Sequence, residues 1–598
     1  MERALRWRLL LPLLTLVAGP ARAEGIAWRA WSDGLFADAQ REKRLVLLDL
    51  EAVWCHWCHV MDETTYRDPR VIELLARGYI AVKVDQDARP DLSNRYEDYG
   101  WPATIIFSPA GEELAKLSGF IPPPRMASFL EAFLEDPRPG PSAVSRPPMR
   151  LADGPALSPE RIEELKKTHV DHYDPEFGSW GRVHKFLHGD SVEYCMELSG
   201  AGDDTALRMA RQTLDANLEL MDPVWGGVYQ YSHGGTWDNP HFEKIMSFQA
   251  ANLRIYALAY ARLRDPRYLE TARSIERYLL AFLRSPDGAF YTSQDADSKP
   301  GEHSAEYFEL PDAERRKRGI PRVDRHVYAR ENGWVIEALA LLGDVTGERE
   351  HIEVALRAAE WISKERSIPG GGFRHDREGA GGPYLGDTLA MGRAFLGLYV
   401  STADRAWLAR AEAAATFLVH TFEPPGREEA AAGFVTAKAP PAGVAGFQPE
   451  PQRDENIQLA RFLNLLHHYT GKAEFRRAAE QAMRYLATPE IAVRRPTGGI
   501  LLASLELGND PSHVTVVGSK ADPLARRLFD AARRYPSGYR RIEWWDRSEG
   551  ALPNPDVEYP ALPGAAAFAC ANQRCSRPVS DPARLTELIE KFRKVSSN

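Results

Sequence analysis

Hydrophobic and polar positions in the first quarter of the chain alternate between strand and helix periods. The apolar run "KRLVLLDLEA" (43–52) and the alternating run "YIAVKVDQD" (79–87) predict strands, and "GWPATIIFSPAGEEL" (100–114) predicts a third strand that opens after Pro102. Between the first two strands, "CHVMDETTYRDPRVIELLARG" spaces its apolar residues as a helix does. The pattern predicts an α/β domain with the order strand, helix, strand, strand.

Beyond residue 160 the pattern changes to the helical period. Segments such as "SFQAANLRIYALAYARL", "ENGWVIEALALLGDVTG" and "ENIQLARFLNLLHHYTG" place apolar residues at i, i+3, i+4 and i+7. Loops with glycine followed by a hydrophobic residue recur between the helices, near positions 176, 225, 287, 370, 431 and 497. Each interval is long enough for one helical hairpin. Six hairpins can close into a ring with one helix layer inside another, so the spacing predicts an (α/α)6 toroid.

The last hundred residues return to strand and helix patterns. "SHVTVVGSKADPLARRLFDAARRYPSGYRRIEWWD" predicts strand, helix and strand, and "AAAFACANQRCSRPVSDPARLTELIEKF" predicts strand, loop and helix. A Pro- and Gly-rich stretch over residues 137–159 is typical of a linker. We therefore expect a first domain over 24–136, the toroid over 160–504 and a small α/β appendage over 505–598.

The N-terminus is typical of a secretory signal peptide. The basic "MERALRWR" precedes a short apolar stretch and the triplet "ARA", so cleavage is expected after Ala23, which makes residues 1–23 the signal peptide. The apolar stretch is too short to span a bilayer, and no later run reaches spanning length. We expect a periplasmic or secreted protein without a membrane span after cleavage.

Composition excludes some partners. The chain of 598 residues has a formal net charge of -9 and a pI near 6.0, and it contains no dense block of Lys and Arg. Nucleic acid and anionic membranes are therefore not expected as partners. A small molecule or a protein is the expected substrate.

The pentad Cys55-His56-Trp57-Cys58-His59 has two interpretations, a c-type haem attachment pattern and a thioredoxin-like redox pair. The preceding strand, the following helix and the Pro-led strand further on favour the redox pair. A Cys at a helix N-terminus has a depressed pKa, so Cys55 is predicted to be the nucleophile and Cys58 the resolving thiol. His56 is predicted to support the Cys55 thiolate as an imidazolium, and His59 is interpreted as an ordinary helix residue.

The peptide bond between Trp101 and Pro102 is a candidate cis bond that would shape the docking surface beside the pair. Cys570 and Cys575 are close enough in sequence for a local disulfide, and exchange with Cys55 and Cys58 is the alternative. A metal shared by the four thiols is only weakly indicated by C-x4-C spacing. "SQDADSKPGEHSAE" lacks the EF-hand register. The sequence predicts no metal site and no cofactor.

The loops of the predicted toroid carry polar residues suited to a central cavity. Glycoside hydrolysis needs two carboxylates, and epimerisation needs an acid or base such as His. Trp225 and Trp237 are candidate stacking surfaces for a sugar. An alternative interpretation has His241, Glu243 and Lys244 pair with one another and tie loops to helix ends. The candidates are His184, Lys185, His233, His241, Glu243, Asp295, Asp297, Asp387 and Glu455.

These motifs carry a family resemblance. "WCHWCHVM", "KVDQDARPDLSNRY" and "GWPATIIFSPAGEEL" resemble the thioredoxin-like domain of the spermatogenesis-associated thioredoxin-domain family, in which an α-helical toroid follows that domain. "MDPVWGGVYQYSHGGTWDNPHFEKIMSFQAANL" and "DGAFYTSQDADS" are similar to the toroid of the same family, and the resemblance extends to the C-terminal segment. The toroid resembles six-hairpin glycosidases and sugar 2-epimerases, which implies a central cavity that holds sugars.

Three functions are consistent with the sequence. The first is a thiol-disulfide oxidoreductase that uses Cys55, Cys58, His56 and Pro102 on a thiol or disulfide protein client or redox partner. The second is a carbohydrate-active enzyme of the hydrolase or epimerase type, with a sugar or glycan in the toroid and an accessory redox domain. The third is a binding platform without catalysis.

Overall fold

The computed structural model describes residues 25–143, 149–302, 304–377, 381–424, 432–439, 448–571 and 574–596. The predicted signal peptide, residues 1–23, lies outside the described residues.

The N-terminal domain is a four-stranded sheet with helices on both faces. Strand β1 lies between β2, to which it is parallel, and β3, to which it is antiparallel, and β4 completes the order β2-β1-β3-β4. The central position of β1 explains its continuous apolar run, since both of its faces are covered. The elements of the N-terminal domain are α1 (Leu35–Glu42), β1 (Leu45–Glu51), α2 (His56–Glu63), α3 (Pro69–Gly78), β2 (Tyr79–Asp85), α4 (Pro90–Tyr96), β3 (Ala103–Phe107), β4 (Glu113–Ser118) and α5 (Pro123–Glu135).

The helical region is a closed ring of six hairpins. Six inner helices pack side by side in sequence order, and the last of them returns to the first. The inner helices are α7 (Gly189–Gly200), α9 (Met246–Leu263), α13 (Ala329–Thr346), α15 (Leu385–Thr402), α17 (Arg453–Thr470) and α20 (Gly498–Leu507). Each packs against one outer helix: α8 (Asp204–Ala216), α10 (Pro266–Tyr278), α14 (Arg349–Glu365), α16 (Arg405–Phe422), α18 (Ala473–Leu486) and, for α20, α6 (Pro159–Asp171). The predicted (α/α)6 toroid is confirmed.

Short elements occupy the loops of the toroid. Three short helices are α11 (Ala305–Phe308), α12 (Asp312–Arg318) and α19 (Pro489–Ala492). Short strands form two three-stranded sheets, β5-β6-β7 and β10-β9-β8, and one pair, β11-β12. They are β5 (His184–Lys185), β6 (Tyr231–His233), β7 (Pro240–His241), β8 (Lys244–Ile245), β9 (Ser293–Gln294), β10 (Val323–Asp324), β11 (Ser367–Ile368) and β12 (Gly372–Phe373).

The loops with glycine and a hydrophobic residue all connect an outer helix to the next inner helix, so they meet at one end of the ring. Side-chain amides of the inner helices hold them in place. Asn332 accepts from the N-H of Phe290 at 2.8 Å and donates to its carbonyl at 2.9 Å, and Asn456 does the same for Phe434. These amides form hydrogen bonds with buried N-H and C=O groups of the loops that have no partner in a strand.

The C-terminal domain is also a four-stranded sheet, and its connectivity matches that of the N-terminal domain. Its elements are β13 (Ser512–Val517), α21 (Pro523–Arg533), β14 (Arg540–Trp545), β15 (Ala566–Ala571), β16 (Arg574–Cys575) and α22 (Pro582–Ser596). The order β14-β13-β15-β16, with β13 parallel to β14 and antiparallel to β15, repeats β2-β1-β3-β4. The predicted small α/β appendage is therefore a second thioredoxin-like unit. In the N-terminal domain, Cys55 and Cys58 follow the central strand β1. The corresponding segment after β13, residues 518–522, contains no cysteine.

The two sheet domains cover opposite ends of the ring. The N-terminal domain lies against the N-terminal ends of the inner helices, where the Tyr384 hydroxyl donates to Asp91 at 3.1 Å. The C-terminal domain lies at their C-terminal ends, where Arg533 and Arg540 both bind Asp344 at 2.8 Å. Within the described residues, every helix is too short or too polar to cross a membrane.

Candidate functional site

The Cys55–Cys58 pair lies where β1 ends and α2 begins. The two cysteines form a disulfide with 5.3 Å between their Cα atoms. Cys55 is the N-cap of α2, and its Sγ accepts from the N-H of Cys58 at 3.2 Å. Unpaired N-H groups and the positive end of the helix dipole stabilise a thiolate at this position.

The peptide bond between Trp101 and Pro102 is cis, as predicted. Pro102 is buried directly before β3, and the Trp101 side chain packs in the same apolar cluster as the disulfide. Pro102 thus lies beside the cysteine pair, as it would in the predicted docking surface.

The toroid covers the cysteine pair. Cys55 is 4% exposed and Cys58 is 2% exposed. Ile245, at the end of β8, and the half-buried Phe248 of α9 pack against them in one apolar cluster. The site is therefore an interface between the N-terminal domain and the toroid.

Two histidines of the pentad bind one aspartate of the toroid. Nδ1 of His56 lies 2.7 Å from Oδ1 of Asp297, and Nδ1 of His59 lies 3.1 Å from Oδ2. Asp295 adds a third oxygen, 3.7 Å from Nδ1 of His59. The interpretation of His59 as an ordinary helix residue is wrong, since His56 and His59 lie one turn apart on the face of α2 that meets the toroid.

The pKa values of this cluster follow from burial and pairing. Burial alone lowers the pKa of His56 and of His59, but the hydrogen bond and charge of Asp297 outweigh it and raise both. Burial acts to raise the pKa of Asp297, yet its hydrogen bonds with the two histidines hold it at about 2. Burial raises the pKa of Asp295 to about 6. Asp297 is therefore an anion that favours imidazolium at His56 and His59.

Glu243 lies beside the first residue of α2. Its side chain is 3% exposed, and Oε1 accepts from the N-H of His56 at 3.5 Å. Burial raises the pKa of Glu243 to about 7. Lys244 instead binds Asp222 at 2.7 Å, while His241 lies 3.9 Å from Glu243. The predicted pairing of His241, Glu243 and Lys244 with one another is therefore wrong for Lys244.

Two further predicted cavity residues lie at the contact with the N-terminal domain, Glu455 directly and Asp387 through His375. Asp387 is fully buried and accepts from Nδ1 of His375 at 2.8 Å, and the other ring nitrogen lies 2.6 Å from the carbonyl oxygen of Asp87. Glu455 accepts from the amide of Asn94 at 3.4 Å, and burial raises its pKa to about 7. Both residues belong to the domain interface.

The remaining predicted cavity residues have local partners. Lys185 is buried and binds Asp174 at 2.6 Å. His184 lies on the exposed side of β5, with its ring 5.2 Å from that of His233. Burial and the neighbouring His233 lower the pKa of His184.

Trp225 and Trp237 offer no surface for stacking a sugar. Trp225 is 7% exposed, and its indole N-H donates to Asp312 at 2.7 Å. Trp237 is 6% exposed and donates to the carbonyl of Phe177 at 2.6 Å. The interpretation of both residues as stacking surfaces is wrong.

The centre of the ring contains paired charges beside a small cavity. Arg461 donates to Glu193 and to Glu506 at 2.8 Å, and Arg393 binds Glu337 at 2.8 Å. The cavity bounded by these helices and by residues 537–540 has a volume of about 100 Å³. Ligand pockets for small molecules usually hold about 300 to 1,000 Å³. This cavity is therefore smaller than the predicted sugar site requires.

Cys570 and Cys575 form a disulfide that joins β15 to β16, with 4.1 Å between their Cα atoms. They lie in the C-terminal domain, across the ring from Cys55. The inner helix α13 has 18 residues, about 27 Å at 1.5 Å per residue, so direct exchange between the two pairs does not fit this arrangement. Cys195 is a buried free thiol.

Sequence reasoning missed a buried carboxyl behind the motif. Asp49 on β1 is 1% exposed and pairs in register with Lys83 on β2, whose ammonium lies 3.6 Å away. Burial raises the pKa of Asp49 to about 8, although Lys83 opposes the shift. A lone Asp within an apolar strand was the signal available in "LVLLDLE".

Comparison with known proteins finds similarity in parts of the chain. Residues 20–134 match the Thioredox_DsbH family, described as a protein of unknown function, DUF255. Human spermatogenesis-associated protein 20 is 26% identical over 310 residues, which cover 46% of this chain and 39% of that protein. The matched stretch thus spans less than half of the curated relative's length.

Two further similarities are limited to one part of the chain. Thiol:disulfide interchange protein DsbD 1 of Pseudomonas aeruginosa is 31% identical over 102 residues, 16% of this chain and 17% of that protein. The solved cellobiose 2-epimerase from Bacillus thermoamylovorans aligns with 58% of this chain and 99% of its own at 10% identity and a TM-score of 0.43. The expected resemblance is confirmed: the chain is similar to the spermatogenesis-associated thioredoxin-domain proteins and carries a thioredoxin-like domain of the Thioredox_DsbH type.

Proposed function

We propose that this protein is a thiol-disulfide oxidoreductase whose Cys55–Cys58 pair works in a composite site completed by the toroid. The observation that carries the proposal is the disulfide at the N-terminus of α2, beside a cis proline and next to a histidine held by Asp297. Similarity of the N-terminal domain to DsbD proteins supports the same chemistry. We also infer from the signal sequence that the protein acts in the periplasm or is secreted.

The exchange has two steps. A client thiolate attacks Sγ of Cys55, the bond to Cys58 breaks, and its electron pair remains on Cys58 as a thiolate. A second client thiolate then attacks the client sulfur of the mixed disulfide, and Cys55 leaves as a thiolate. The client loses two electrons and its two thiol protons go to solvent, while the pair gains the two electrons. Reduction of a client runs through the same steps in reverse.

The charges around the pair favour its reduced form. The cationic form of His56 lies next to the Cys55 thiolate in sequence and is stabilised by Asp297. A stabilised thiolate raises the reduction potential of a dithiol pair and makes it a better oxidant. The full negative charge of Asp297 offsets part of this effect. We therefore expect a potential above that of a thioredoxin, whose value is about -270 mV.

The toroid limits which clients reach the pair. Because both cysteines are buried and share an apolar cluster with Ile245 and Phe248 of the toroid, a folded protein client requires the N-terminal domain to move away from the toroid, whereas a small thiol needs only a local opening. The proposed client is a thiol or disulfide compound or protein that exchanges when this cover opens.

Equilibration of the full-length protein with reduced and oxidised glutathione tests the proposal. Thiol alkylation and mass determination give the fraction of Cys55–Cys58 oxidised at each ratio. We expect a single two-electron transition that Cys55→Ser abolishes and Cys570→Ser leaves in place. A pair that stays oxidised or stays reduced across all ratios, with no disulfide reductase or oxidase activity on insulin or reduced ribonuclease, would contradict it.

A carbohydrate-active function has no comparable support. Its predicted residues lie in the domain interface or in local pairs, and the ring centre is filled by Arg-carboxylate pairs. The structural likeness to a sugar epimerase has a TM-score of 0.43 and carries no argument about activity.

A further inference from the structure

A second group of ligating side chains lies in the same interface, away from the cysteine pair. Asp85 is the last residue of β2, Asp324 ends the short strand β10, and His326 follows two positions later. The ligating atoms of these three side chains all lie within 4.8 Å of one another. We call Asp85, Asp324 and His326 the interface triad, since it contains one residue of the N-terminal domain and two of the toroid.

The carboxylates of the interface triad have unsatisfied oxygens. Asp324 is 4% exposed, and its Oδ2 is buried without a hydrogen-bond partner in the described part of the chain. Oδ2 of Asp85 is also buried without a hydrogen-bond partner in the described part of the chain. Buried carboxylate oxygens are costly unless a donor or a cation meets them. A cation bound by the interface triad would satisfy such oxygens.

No side chain in the described ranges supplies that partner. The only salt bridge recorded there for either carboxylate joins Oδ1 of Asp324 to Nδ1 of His326, 2.6 Å apart. Oδ1 of Asp85 accepts from the backbone N-H of Asp87 at 3.2 Å. Tyr328 is fully buried, and its hydroxyl also lacks a partner within the same ranges. The charge that remains uncompensated is negative.

A second cluster of carboxylates, in the N-terminal domain, contains a lysine. Asp49, Glu51 and Asp62 also gather their oxygens within 4.8 Å. Lys83 lies among them, 2.9 Å from Glu51 and 3.6 Å from Asp49. That cluster holds a lysine ammonium, whereas the described residues of the interface triad offer only the His326 imidazole, whose pKa the hydrogen bond with Asp324 raises to about 9.

We propose that Asp85, Asp324 and His326 form a binding site for a divalent first-row transition ion, with Mn²⁺ or Zn²⁺ as the fitting chemistry. Carboxylates suit Mn²⁺ and an imidazole suits Zn²⁺, and both ions accept such mixed sets. Bond lengths of about 2.1 Å place ligand atoms at most about 4.2 Å apart, so the triad would close by about half an ångström or more on binding the ion. The His326 side chain is 53% exposed and leaves room for water ligands and for entry of the ion.

The proposed ion would join the two domains. It would draw the end of β2 to the loop that follows β10 and remove the repulsion between Asp85 and Asp324. Its role is that of a structural clamp, and it is independent of the redox chemistry proposed for Cys55 and Cys58.

Metal titration of the full-length protein tests the proposal. Protein stripped with EDTA and dialysed is titrated with MnCl2 and, separately, ZnCl2, with binding followed by calorimetry and by the loss of free Mn²⁺ EPR signal. We expect one high-affinity equivalent, a higher thermal midpoint with metal, and at least ten-fold weaker binding in Asp324→Asn and Asp85→Asn. His326→Gln, a change at an exposed side chain, checks the result in a variant that keeps both buried carboxylates.

Two control variants locate the site. Asp62→Asn removes a carboxylate from the cluster that Lys83 compensates, and Asp297→Asn removes one from the cluster beside the cysteine pair. Both should retain the high-affinity equivalent. Absence of Mn²⁺ and Zn²⁺ binding would overturn the proposal and leave a proton shared between Asp85 and Asp324. Binding that survives in all three triad variants, or that is lost only with Asp297→Asn, would overturn it as well.

Discussion

His56 and Asp297 meet across the interface of the N-terminal domain and the toroid, with 2.7 Å between Nδ1 and Oδ1 although 241 positions separate them in the chain. The contact attaches the redox motif directly to the helical ring. It also makes the ionisation of a residue inside the C-x-x-C motif depend on the toroid.

Asp297→Asn is expected to lower the pKa of both His56 and His59. Burial already lowers these values, and the Asp297 carboxylate provides the hydrogen bonds and charge that raise them. Imidazole NMR titration of the folded protein measures the change. Asp295→Asn serves as control and should affect His59 more than His56, because Asp295 lies 3.7 Å from Nδ1 of His59. Equal pKa values in wild type and Asp297→Asn would contradict the expectation.

The same ion pair predicts a pH window for stability. Asp297 has its pKa lowered from 3.8 to about 2, so its contribution is present above pH 3.8 and disappears as the pH falls through about 2. His56 has its pKa raised from 6.5, so its contribution is present below pH 6.5 and disappears as the pH rises through the raised value. The difference in thermal midpoint between wild type and Asp297→Asn should therefore be largest between about pH 4 and 6.5. A difference that is constant from pH 3 to 9 would count against this pairing.

Ile245→Ala is expected to speed reduction of the Cys55–Cys58 disulfide by dithiothreitol several-fold. The smaller side chain uncovers part of a disulfide whose cysteines are 4% and 2% exposed. Stopped-flow tryptophan fluorescence measures the rate, since Trp54 packs against the pair. Ile320→Ala, which changes a toroid isoleucine that is 45% exposed, should leave the rate unchanged. An unaltered rate in Ile245→Ala would show that the toroid does not limit access.

Arg461→Ala is expected to destabilise the ring by about 3 to 5 kcal/mol, because it leaves buried carboxylate unpaired. Glu506 loses two hydrogen bonds from this guanidinium, at 2.9 and 2.8 Å. Calorimetric unfolding should show a clear fall in the midpoint of the toroid. Arg277→Ala removes an exposed pair with Glu270 and should cost less than about 1 kcal/mol. Equal effects of the two substitutions would mean that the central pairs contribute little.

Free monosaccharides and disaccharides are expected to leave the thermal midpoint unchanged. The cavity at the ring centre has a volume of about 100 Å³, and its carboxylates are paired with arginines. Differential scanning fluorimetry with glucose, mannose and cellobiose at millimolar concentration checks this. A rise in midpoint that Glu337→Gln removes would restore the carbohydrate hypothesis.

Local periodicity was enough to predict most elements of the fold. The strand before Cys55, the helix after it and the Pro-led strand indicate a thioredoxin-like domain, because the spacing of apolar residues within each element reflects which of its faces is buried. The glycine loops specify the hairpins of the ring for the same reason. The second thioredoxin-like unit was predicted only as an α/β appendage, because strand order depends on pairing between distant segments.

The site could be predicted only in parts. Cys55, Cys58 and Pro102 follow from one motif and its flanking strands. That Asp297 meets His56 follows from the docking of two domains, and no local pattern specifies docking. The available signal was the placement of His56 and His59 on one face of a short helix, together with the separate acidic loop "SQDADS".

The buried apolar residues are distributed unequally among the three folded parts. Those of the N-terminal sheet, such as Val46 and Ile106, form clusters of their own, whereas Val514 and Ile542 of the C-terminal sheet belong to the same cluster as the ring helices. Cooperative unfolding follows shared cores. Heating should therefore melt the C-terminal sheet together with the ring, while the domain that carries Cys55 and Cys58 can melt, or detach intact, as a separate unit.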